Sequence, residues 1–200
     1  MEKIIKNVLT AFYQPFSFAA LLAVLFMFLF LFAREHGWKG VCRQWWSAFR
    51  TESSFRRTFL LVFYTAMILF RTLLNRNMWA NPLSNVFGSW GLYNEKGELT
   101  TEAIENLILF IPFVILLMWN FREKLLKEKV KLIWTLWQSM RITFVFSLTI
   151  EFLQLFLRLG TFQLSDIAYN TAGGLVGGLL YWVGYKLGHR ISRDEEGKSE

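Results

Sequence analysis

Residues 149–170, "TIEFLQLFLRLGTFQLSDIAYN", lie between two long apolar runs and decide how the rest of the chain is interpreted. The polar side chains of this stretch are those of Glu151, Gln154, Arg158, Asp166 and Asn170. Ionisable groups are costly near lipid, and within membrane segments they usually face one another or a functional site. We therefore expect two membrane helices whose polar faces meet.

The spacing of these residues supports that arrangement. Glu151, Gln154 and Arg158 recur at intervals of three and four, and Asp166 and Asn170 are four apart, so each set shares one helical face. The connection "RLGTFQLS" is short enough to force an antiparallel helix pair. The two polar faces are thus predicted to point at each other.

Composition places the chain in the class of all-α integral membrane proteins, with the lipid bilayer as its first partner. The sequence is 54% hydrophobic and 18% aromatic, a balance that soluble domains rarely show. The net charge of +7 comes from short basic clusters between apolar runs, which argues against nucleic acid as a partner. Cys42 is the single cysteine and no Cys/His cluster occurs, so neither a metal nor a cofactor is predicted.

Apolar runs of bilayer-spanning length predict about five transmembrane helices. They cover about 16–33, 58–74, 103–119, 132–157 and 166–187. Lys and Arg concentrate in the first and third connections and in the tail, which predicts the N-terminus outside and the C-terminus in the cytoplasm. We therefore predict a multi-pass cell-membrane protein with an interfacial segment (1–15), a membrane domain (16–187) and a disordered cytoplasmic tail (188–200).

Two further segments have interfacial character. Trp38, Trp45, Trp46 and Phe49 recur at helical spacing among basic residues, which predicts an amphipathic surface helix. The second connection, about 75–103, is rich in turn residues but too apolar for a freely solvated loop. We expect it in the headgroup region; the alternative is a lid over the polar layer.

Other spans bring polar residues to the same membrane depth. Arg71 lies near the outer end of the second predicted span, and Asn106 lies where the third span begins. Because a lone buried charge is expensive, Glu151 and Arg71 are the natural candidates for a buried ion pair.

The last span contains two overlapping pairs of glycines at small-xxx-small spacing, Gly173 with Gly177 and Gly174 with Gly178. Such pairs let another helix approach closely. We expect them to pack the last span against its neighbour within the chain. The same glycines would also suit a homo-oligomer, and the sequence leaves that alternative open.

The residues of this region carry a family resemblance. The pattern E-x-x-Q, a basic turn and F-x-x-x-D-x-x-x-N-T-x-G-G-x-x-G resembles the signature of the VanZ-like membrane proteins. Its members here are Glu151, Gln154, Arg158, Phe162, Asp166, Asn170, Thr171, Gly173, Gly174 and Gly177. "FRTLLNR" (70–76) and "ENLILFIPF" (105–113) are similar to other recurrent pieces, so the resemblance covers about 58–185.

This chain departs from the family pattern at three positions. Leu159 stands where a basic residue often precedes the glycine, and Gln163 and Ser165 stand where acids are frequent. If those acids bind a cation in relatives, this chain would bind one less well.

The resemblance implies a Gram-positive envelope protein similar to the teicoplanin-resistance protein of glycopeptide-resistance clusters. Its outward-facing polar site would bind a lipid-linked cell-wall precursor or a lipoglycopeptide and lower susceptibility to teicoplanin. Two alternatives stay open, namely a membrane enzyme acting on a lipid headgroup and a scaffold for a partner membrane protein. The enzyme would use Glu151 or Asp166 as general base and Arg71 to stabilise an anion.

Overall fold

The computed structural model describes residues 21–23, 25–74, 80–91, 101–126 and 130–196. The predicted interfacial segment at 1–15 lies outside the described residues, as do the start of the first predicted span and residues 197–200. Every regular element in the described part is helical. The elements are α1 (Leu21–His36), α2 (Trp38–Thr51), α3 (Ser53–Leu69), α4 (Glu102–Asn120), α5 (Arg122–Leu126), α6 (Leu132–Leu157) and α7 (Leu164–Glu196). A π-helical turn, Phe70–Leu74, continues α3.

This architecture confirms an all-α membrane fold. Three described helices are long and apolar enough to cross a bilayer: Ser53–Leu73, α4 and α6. The pair α1 and α2 passes the same criteria only when taken together, and it is bent by 106°. The described residues thus support three to four spans by length and composition, against the five predicted.

The helix α7, which contains the fifth predicted span, is 33 residues long but is not among these candidates. Its glycines and polar residues lower its hydropathy below that of a lipid-facing helix. It is packed against α4 and α6 instead. A helix that buries one side against two other helices needs less apolar surface than one that faces lipid on all sides.

One face of α7 lies directly on the backbone of α4. A Cβ atom added at Gly173 would collide with the carbonyl oxygen of Leu107, and one added at Gly177 would meet the carbonyl of Ile111 at 2.6 Å. Only glycine allows two helices to approach this closely. The first glycine pair therefore serves the α4–α7 contact.

The second glycine pair lies against α6. A Cβ atom at Gly174 would collide with the side chain of Thr143, and one at Gly178 would collide with that of Ser139. The four glycines thus contact two neighbouring helices, α4 and α6, whereas the sequence predicts contact with one neighbour. All of these contacts are within the chain.

The apolar core lies between α3, α4 and α6. Its side chains with 2% exposure or less include Ile68, Phe110, Val114, Met118 and Ile150. Phe146 stacks on Phe113 with 5.0 Å between ring centroids. This core holds α4 and α6 in place, so the polar residues on the same helices are positioned by apolar packing.

The segment predicted as an amphipathic surface helix is helical in the structure as α2. No residue of α2 is buried, and Trp38, Trp45 and Trp46 are 44–51% exposed. The chain turns from α1 into α2 at Gly37, whose φ of 72° favours glycine. Its position at a membrane surface stays a prediction.

The C-terminal helix is longer than predicted. It continues to Glu196, whereas the sequence predicts a last span that ends at 187 and a disordered tail from 188. Residues 189–196 are mostly Arg, Glu and other residues that tolerate a helix, so nothing forces the helix to end with the apolar segment.

Candidate functional site

A stripe of polar residues runs along the buried face of α6. Its members recur at every fourth position and are 0–2% exposed: Thr135, Ser139, Thr143, Ser147 and Glu151. The hydroxyls of Thr135, Ser139 and Thr143 each donate to the carbonyl four residues earlier, at 2.7–3.0 Å. These hydroxyls are therefore satisfied within α6, and small side chains leave room for α7.

The helix α7 faces this stripe in a fixed antiparallel register. Three contacts define it: Gly178 with Ser139, Gly174 with Thr143, and Asn170 with Ser147. The last is a hydrogen bond of 2.8 Å from the Asn170 amide to the Ser147 hydroxyl. One further turn in the same register places Glu151 and Asp166 at the same level. The two acidic residues of the opening stretch therefore belong to one layer, as their spacing predicted.

Both carboxylates of this layer are buried and accept hydrogen bonds. Glu151 is 2% exposed, and its Oε2 accepts the backbone N–H of Gln163 at 2.8 Å. Asp166 is 4% exposed, and its Oδ1 accepts the side-chain amide of Asn106 at 2.8 Å. Hydrogen bonds to an ionised acceptor are stronger than neutral ones, so each bond stabilises its carboxylate in a site with little water.

Two amide side chains complete the group. Gln154 is 1% exposed and donates from Nε2 to the backbone carbonyl of Thr72 at 2.8 Å. Its Oε1 finds no donor among the described residues, and neither does Oδ1 of Asn170. We name the buried residues of this group the polar cluster: Asn106, Glu151, Gln154, Asp166 and Asn170.

The structure corrects the expected ion pair of Arg71. The Arg71 guanidinium pairs with Glu105 rather than with Glu151. Both side chains are about half exposed, at 51% and 45%, and Thr101 donates a further hydrogen bond to Glu105 at 2.6 Å. Arg71 lies in the π-helical turn, and an acid of the adjacent helix meets it at the protein surface. The pair lies at the same end of the bundle as the polar cluster, outside its buried part.

Arg158 also lies outside the polar cluster. Its spacing predicts that it shares a helical face with Glu151, but α6 ends at Leu157, one residue before Arg158. Arg158 adopts a left-handed conformation (φ 53°, ψ 38°), and the N–H of Leu159 bonds the carbonyl of Gln154 at 2.9 Å. This is a helix C-terminal cap, formed here without glycine. The Arg158 side chain is exposed, whereas Glu151 and Gln154, with which it is predicted to share a face, are buried.

The described part of the second connection, residues 80–91, lies on the turn between α6 and α7. The N–H of Phe162 donates to the carbonyl of Pro82 at 2.9 Å, and the N–H of Leu164 donates to that of Val86 at 2.8 Å. These bonds hold the segment on the turn that carries Gln163, whose N–H bonds Glu151 of the polar cluster. This contact is compatible with the lid, the alternative considered in the sequence analysis, while the expected position in the headgroup region stays a prediction. We name residues 80–91 the lid segment.

Gly88 fixes where the lid segment touches the turn. Its φ is 72°, and a Cβ atom there would collide with the hydroxyl of Ser165 and approach Oε1 of Gln163 at 2.8 Å. Further along the segment, the N–H of Gly91 donates to the hydroxyl of Tyr169 at 2.8 Å. Gln163 and Ser165 are therefore buried contact residues between lid and turn, at two of the three positions where the sequence departs from the family pattern.

Sequence reasoning missed several participants of this region. Ser147 and the carbonyl of Thr72 each receive an amide of the polar cluster. The four-residue spacing of Ser and Thr along α6 was a readable signal for Ser147. No sequence signal indicates a backbone carbonyl in a π-helical turn. Within the described residues, no three His, Cys, Asp or Glu side chains gather in a way that would hold a metal ion.

Comparison with known proteins gives two matches. The family model VanZ/LLP1 matches residues 18–185. Protein VanZ of Enterococcus faecium is 35% identical over 85 residues, which cover 42% of this chain and 47% of that relative. The match thus spans about half the length of the relative. No solved structure matches the chain.

Proposed function

Because the chain belongs to the VanZ/LLP1 family, whose model matches residues 18–185, we propose that it is a cell-envelope protein that binds an amphiphilic or lipid-linked molecule. The polar head of this ligand enters the polar cluster, and its tail lies between the membrane helices. Binding lowers the susceptibility of the cell to teicoplanin-type lipoglycopeptides. The resistance part of the proposal rests on the family resemblance and on similarity to Protein VanZ over part of the chain.

The observation that supports binding is the pair of open acceptors in the polar cluster. Oε1 of Gln154 and Oδ1 of Asn170 are buried and lack a donor among the described residues. A buried acceptor without a donor costs about 1–3 kcal/mol. Ligand hydroxyl, amide or ammonium groups would supply the donors. The site therefore favours a donor-rich head such as a sugar or peptide, which lipid-linked wall precursors and lipoglycopeptides both carry.

Access to the polar cluster would require movement of the lid segment. Two backbone hydrogen bonds hold residues 80–91 on the turn between α6 and α7, and bonds between two loops open at lower free-energy cost than a packed core does. The half-exposed ion pair of Arg71 and Glu105 lies at the same end. This ion pair would contact the charged groups of an entering ligand before the ligand reaches the polar cluster.

A scaffold role is the alternative with a specific observation in its favour. Asn106, Asp166, Glu151 and Gln154 already make hydrogen bonds that join different parts of the chain. Hydrogen bonds of this kind are expected in a network whose role is to hold the helices together. The enzymatic alternative has less support, because Arg71 pairs with Glu105 instead of lying against Glu151.

The test is drug susceptibility in a Gram-positive host that lacks a relative of this protein. The host expresses wild type, Glu151→Gln, Asn170→Leu or the control Ser139→Ala, and immunoblots of membranes establish equal abundance. Ser139 is a matched control because it is equally buried on the same face of α6 but donates only to its own helix. Vancomycin serves as the control drug.

We expect wild type and Ser139→Ala to raise the teicoplanin concentration needed to stop growth, and the two cluster variants to lose this effect. Unchanged susceptibility with every protein at good abundance would overturn the resistance proposal. Depletion of the cluster variants from the membrane would instead favour the scaffold. A changed lipid or wall-precursor profile in cells with wild type alone would favour the enzyme.

A further inference from the structure

A second site candidate lies at the opposite end of the helix bundle. A cavity of about 740 Å3 opens between the start of α3, the end of α4 and the second half of α7. About 29 Å of helix rise along α7 separate Tyr185, which lines this cavity, from Asp166 of the polar cluster. The cavity shares no residue with the polar cluster, so an inference about it is independent of the proposed function.

The cavity is lined by more positive than negative charge. Arg57, Arg122 and Lys124 contribute cations, against one carboxylate, that of Glu123. The Glu123 side chain is 90% exposed and approaches Arg122 only at 3.8 Å, and an exposed ion pair of this kind adds little. The cavity therefore retains a surplus of positive charge.

Arg57 points to the kind of group that fits there. Its Nε is buried and has no hydrogen-bond acceptor among the described residues. Its guanidinium lies over the ring of Trp119 at 5.6 Å from the centroid, which stabilises the cation but accepts no conventional hydrogen bond. A buried charged donor without an acceptor is costly. An anionic oxygen in the cavity would satisfy it.

The surroundings are those of a membrane interface. Trp119 and Phe121 are exposed beside the cavity, and Trp134 is exposed nearby on α6, where its indole N–H donates to the carbonyl of Leu125 at 3.0 Å. Exposed aromatic residues beside Lys and Arg at helix ends are typical of the headgroup level of a bilayer. Basic pockets between membrane helices at this level bind phosphate-bearing headgroups.

We propose that this cavity binds a phosphate group carried by a singly or doubly esterified molecule, with Arg57, Arg122 and Lys124 as its ligands. Guanidinium groups suit phosphate because their N–H donors match its oxygens in pairs. The volume is within the usual 300–1,000 Å3 range of ligand sites, large enough for a glycerol-phosphate headgroup. The phosphate belongs either to an anionic lipid of the surrounding leaflet or to a soluble phosphate ester.

Gly184 supplies a way to close the cavity without disturbing the fold. It lines the cavity, and a Cβ atom built there meets nothing within 4 Å. A leucine at this position would occupy the space that the ligand needs. Gly188 is a matched control one turn further along α7, since its Cβ would also meet nothing within 4 Å, and it does not line the cavity.

The experiment measures binding to the purified full chain in a neutral detergent. The probes are dioctanoyl-phosphatidylglycerol, dioctanoyl-phosphatidylcholine, glycerol 3-phosphate and inorganic phosphate, at constant ionic strength. Native mass spectrometry and titration calorimetry give the affinities. The proteins are wild type, Arg57→Gln, Gly184→Leu, Gly188→Leu and Lys131→Gln, a cation of the same end that does not line the cavity.

We expect the wild type, Gly188→Leu and Lys131→Gln to bind phosphatidylglycerol more tightly than phosphatidylcholine. Arg57→Gln and Gly184→Leu should weaken binding about tenfold or more. Binding of the lipid alone assigns a headgroup site, whereas equal binding of glycerol 3-phosphate or phosphate assigns a soluble ester. The proposal is overturned if no probe binds, or if the two cavity variants bind as tightly as the two controls. Equal loss of binding in the controls would also overturn it.

Discussion

The side-chain amide of Asn106 donates a hydrogen bond of 2.8 Å to the carboxylate of Asp166 and thereby joins α4 to α7. Both residues are at most 9% exposed, and they are 60 positions apart in the chain. On α7, Asp166 lies about two turns before Gly173, the first glycine of the close α4–α7 contact, and on α4 Asn106 directly precedes Leu107, which Gly173 contacts. The same two helices, α4 and α7, are therefore joined by a buried side-chain hydrogen bond and by close backbone packing.

We predict that Asn106 and Asp166 are energetically coupled. In a double-mutant cycle with Asn106→Ala and Asp166→Ala, the double variant should be more stable than the sum of the single effects predicts, by about 1–2 kcal/mol. Either single change leaves one buried partner without this bond. Thermal unfolding of the detergent-solubilised proteins, followed by circular dichroism, gives the three stability differences.

A control cycle pairs Asn106→Ala with Ser139→Ala, whose hydroxyl bonds only its own helix. That cycle should be additive. Additivity in the first cycle as well would show that the hydrogen bond contributes no measurable stability.

The close contact of α7 with α4 gives a second prediction. Gly173→Ala should lower the free energy of unfolding by about 1–3 kcal/mol, because the added Cβ meets the backbone carbonyl of Leu107, which cannot rotate away. Gly184→Ala should be neutral or stabilising by up to about 1 kcal/mol, since its Cβ meets nothing within 4 Å and alanine favours a helix. Thermal unfolding of both variants measures the difference. Equal stability of the two variants would contradict the packing shown for Gly173.

Sequence spacing predicted part of the polar cluster well. Glu151 with Gln154, and Asp166 with Asn170, share faces because helical periodicity is simple and the connection between α6 and α7 is short. Asn106 was expected at the same depth, and the structure brings it to Asp166. The shared faces depend on local geometry alone, whereas the contact of Asn106 with Asp166 joins residues 60 positions apart.

The failures have specific physical causes. Arg158 lies outside the cluster because α6 ends at Leu157 and Arg158 itself forms the left-handed cap. Periodicity alone does not show where a helix ends. Arg71 pairs with Glu105 because two acids lie at the same depth and only Glu105 is exposed where the half-exposed guanidinium lies, whereas Glu151 is buried. Charge and depth alone do not decide which of the two acids pairs with Arg71.

The number of spans shows a further limit of hydropathy. The length and apolar residues of the segment 166–187 predict a span, yet glycine and polar residues give α7 a lower mean hydropathy than α3, α4 and α6 have. High hydropathy identifies helices that expose much of their surface to lipid, whereas α7 is packed on α4 and α6. The glycine spacing of α7, rather than its hydropathy, indicates that it packs closely against neighbouring helices.

A third prediction concerns Gln154 and the π-helical turn. Gln154→Glu replaces the donor that bonds the Thr72 carbonyl with an acceptor of nearly the same shape. The carbonyl would then face a carboxylate, and we expect a loss of about 1–3 kcal/mol in unfolding free energy. Gln44→Glu, on the exposed surface of α2, makes the same chemical change and should alter stability by less than about 0.5 kcal/mol.

Thermal unfolding in one detergent compares the two variants. If Gln154→Glu unfolds with the same midpoint as Gln44→Glu, the contact between α6 and the π-helical turn is not a stabilising one. A midpoint that recovers at low pH would instead support it, because a protonated carboxyl group can donate to the Thr72 carbonyl.

The lid segment supplies the fourth prediction, and two glycines in it allow a matched comparison. Gly88 and Gly91 have φ values of 72° and 103°, so an alanine at either position is strained by the backbone. Only at Gly88 does the added Cβ also collide, with the Ser165 hydroxyl; at Gly91 it meets nothing within 4 Å. Gly88→Ala should therefore detach the lid segment from the α6–α7 turn. Gly91→Ala should strain the backbone but leave the lid segment in contact with the turn.

Hydrogen exchange followed by mass spectrometry measures this detachment at two amides. The N–H groups of Phe162 and Leu164 bond the lid carbonyls of Pro82 and Val86, so both should exchange faster in Gly88→Ala than in Gly91→Ala. Amides within α4 should exchange equally in both variants, because that helix makes none of these bonds. Equal protection of Phe162 and Leu164 in the two variants would mean that Gly88 does not hold the lid, and that access to the polar cluster is controlled elsewhere.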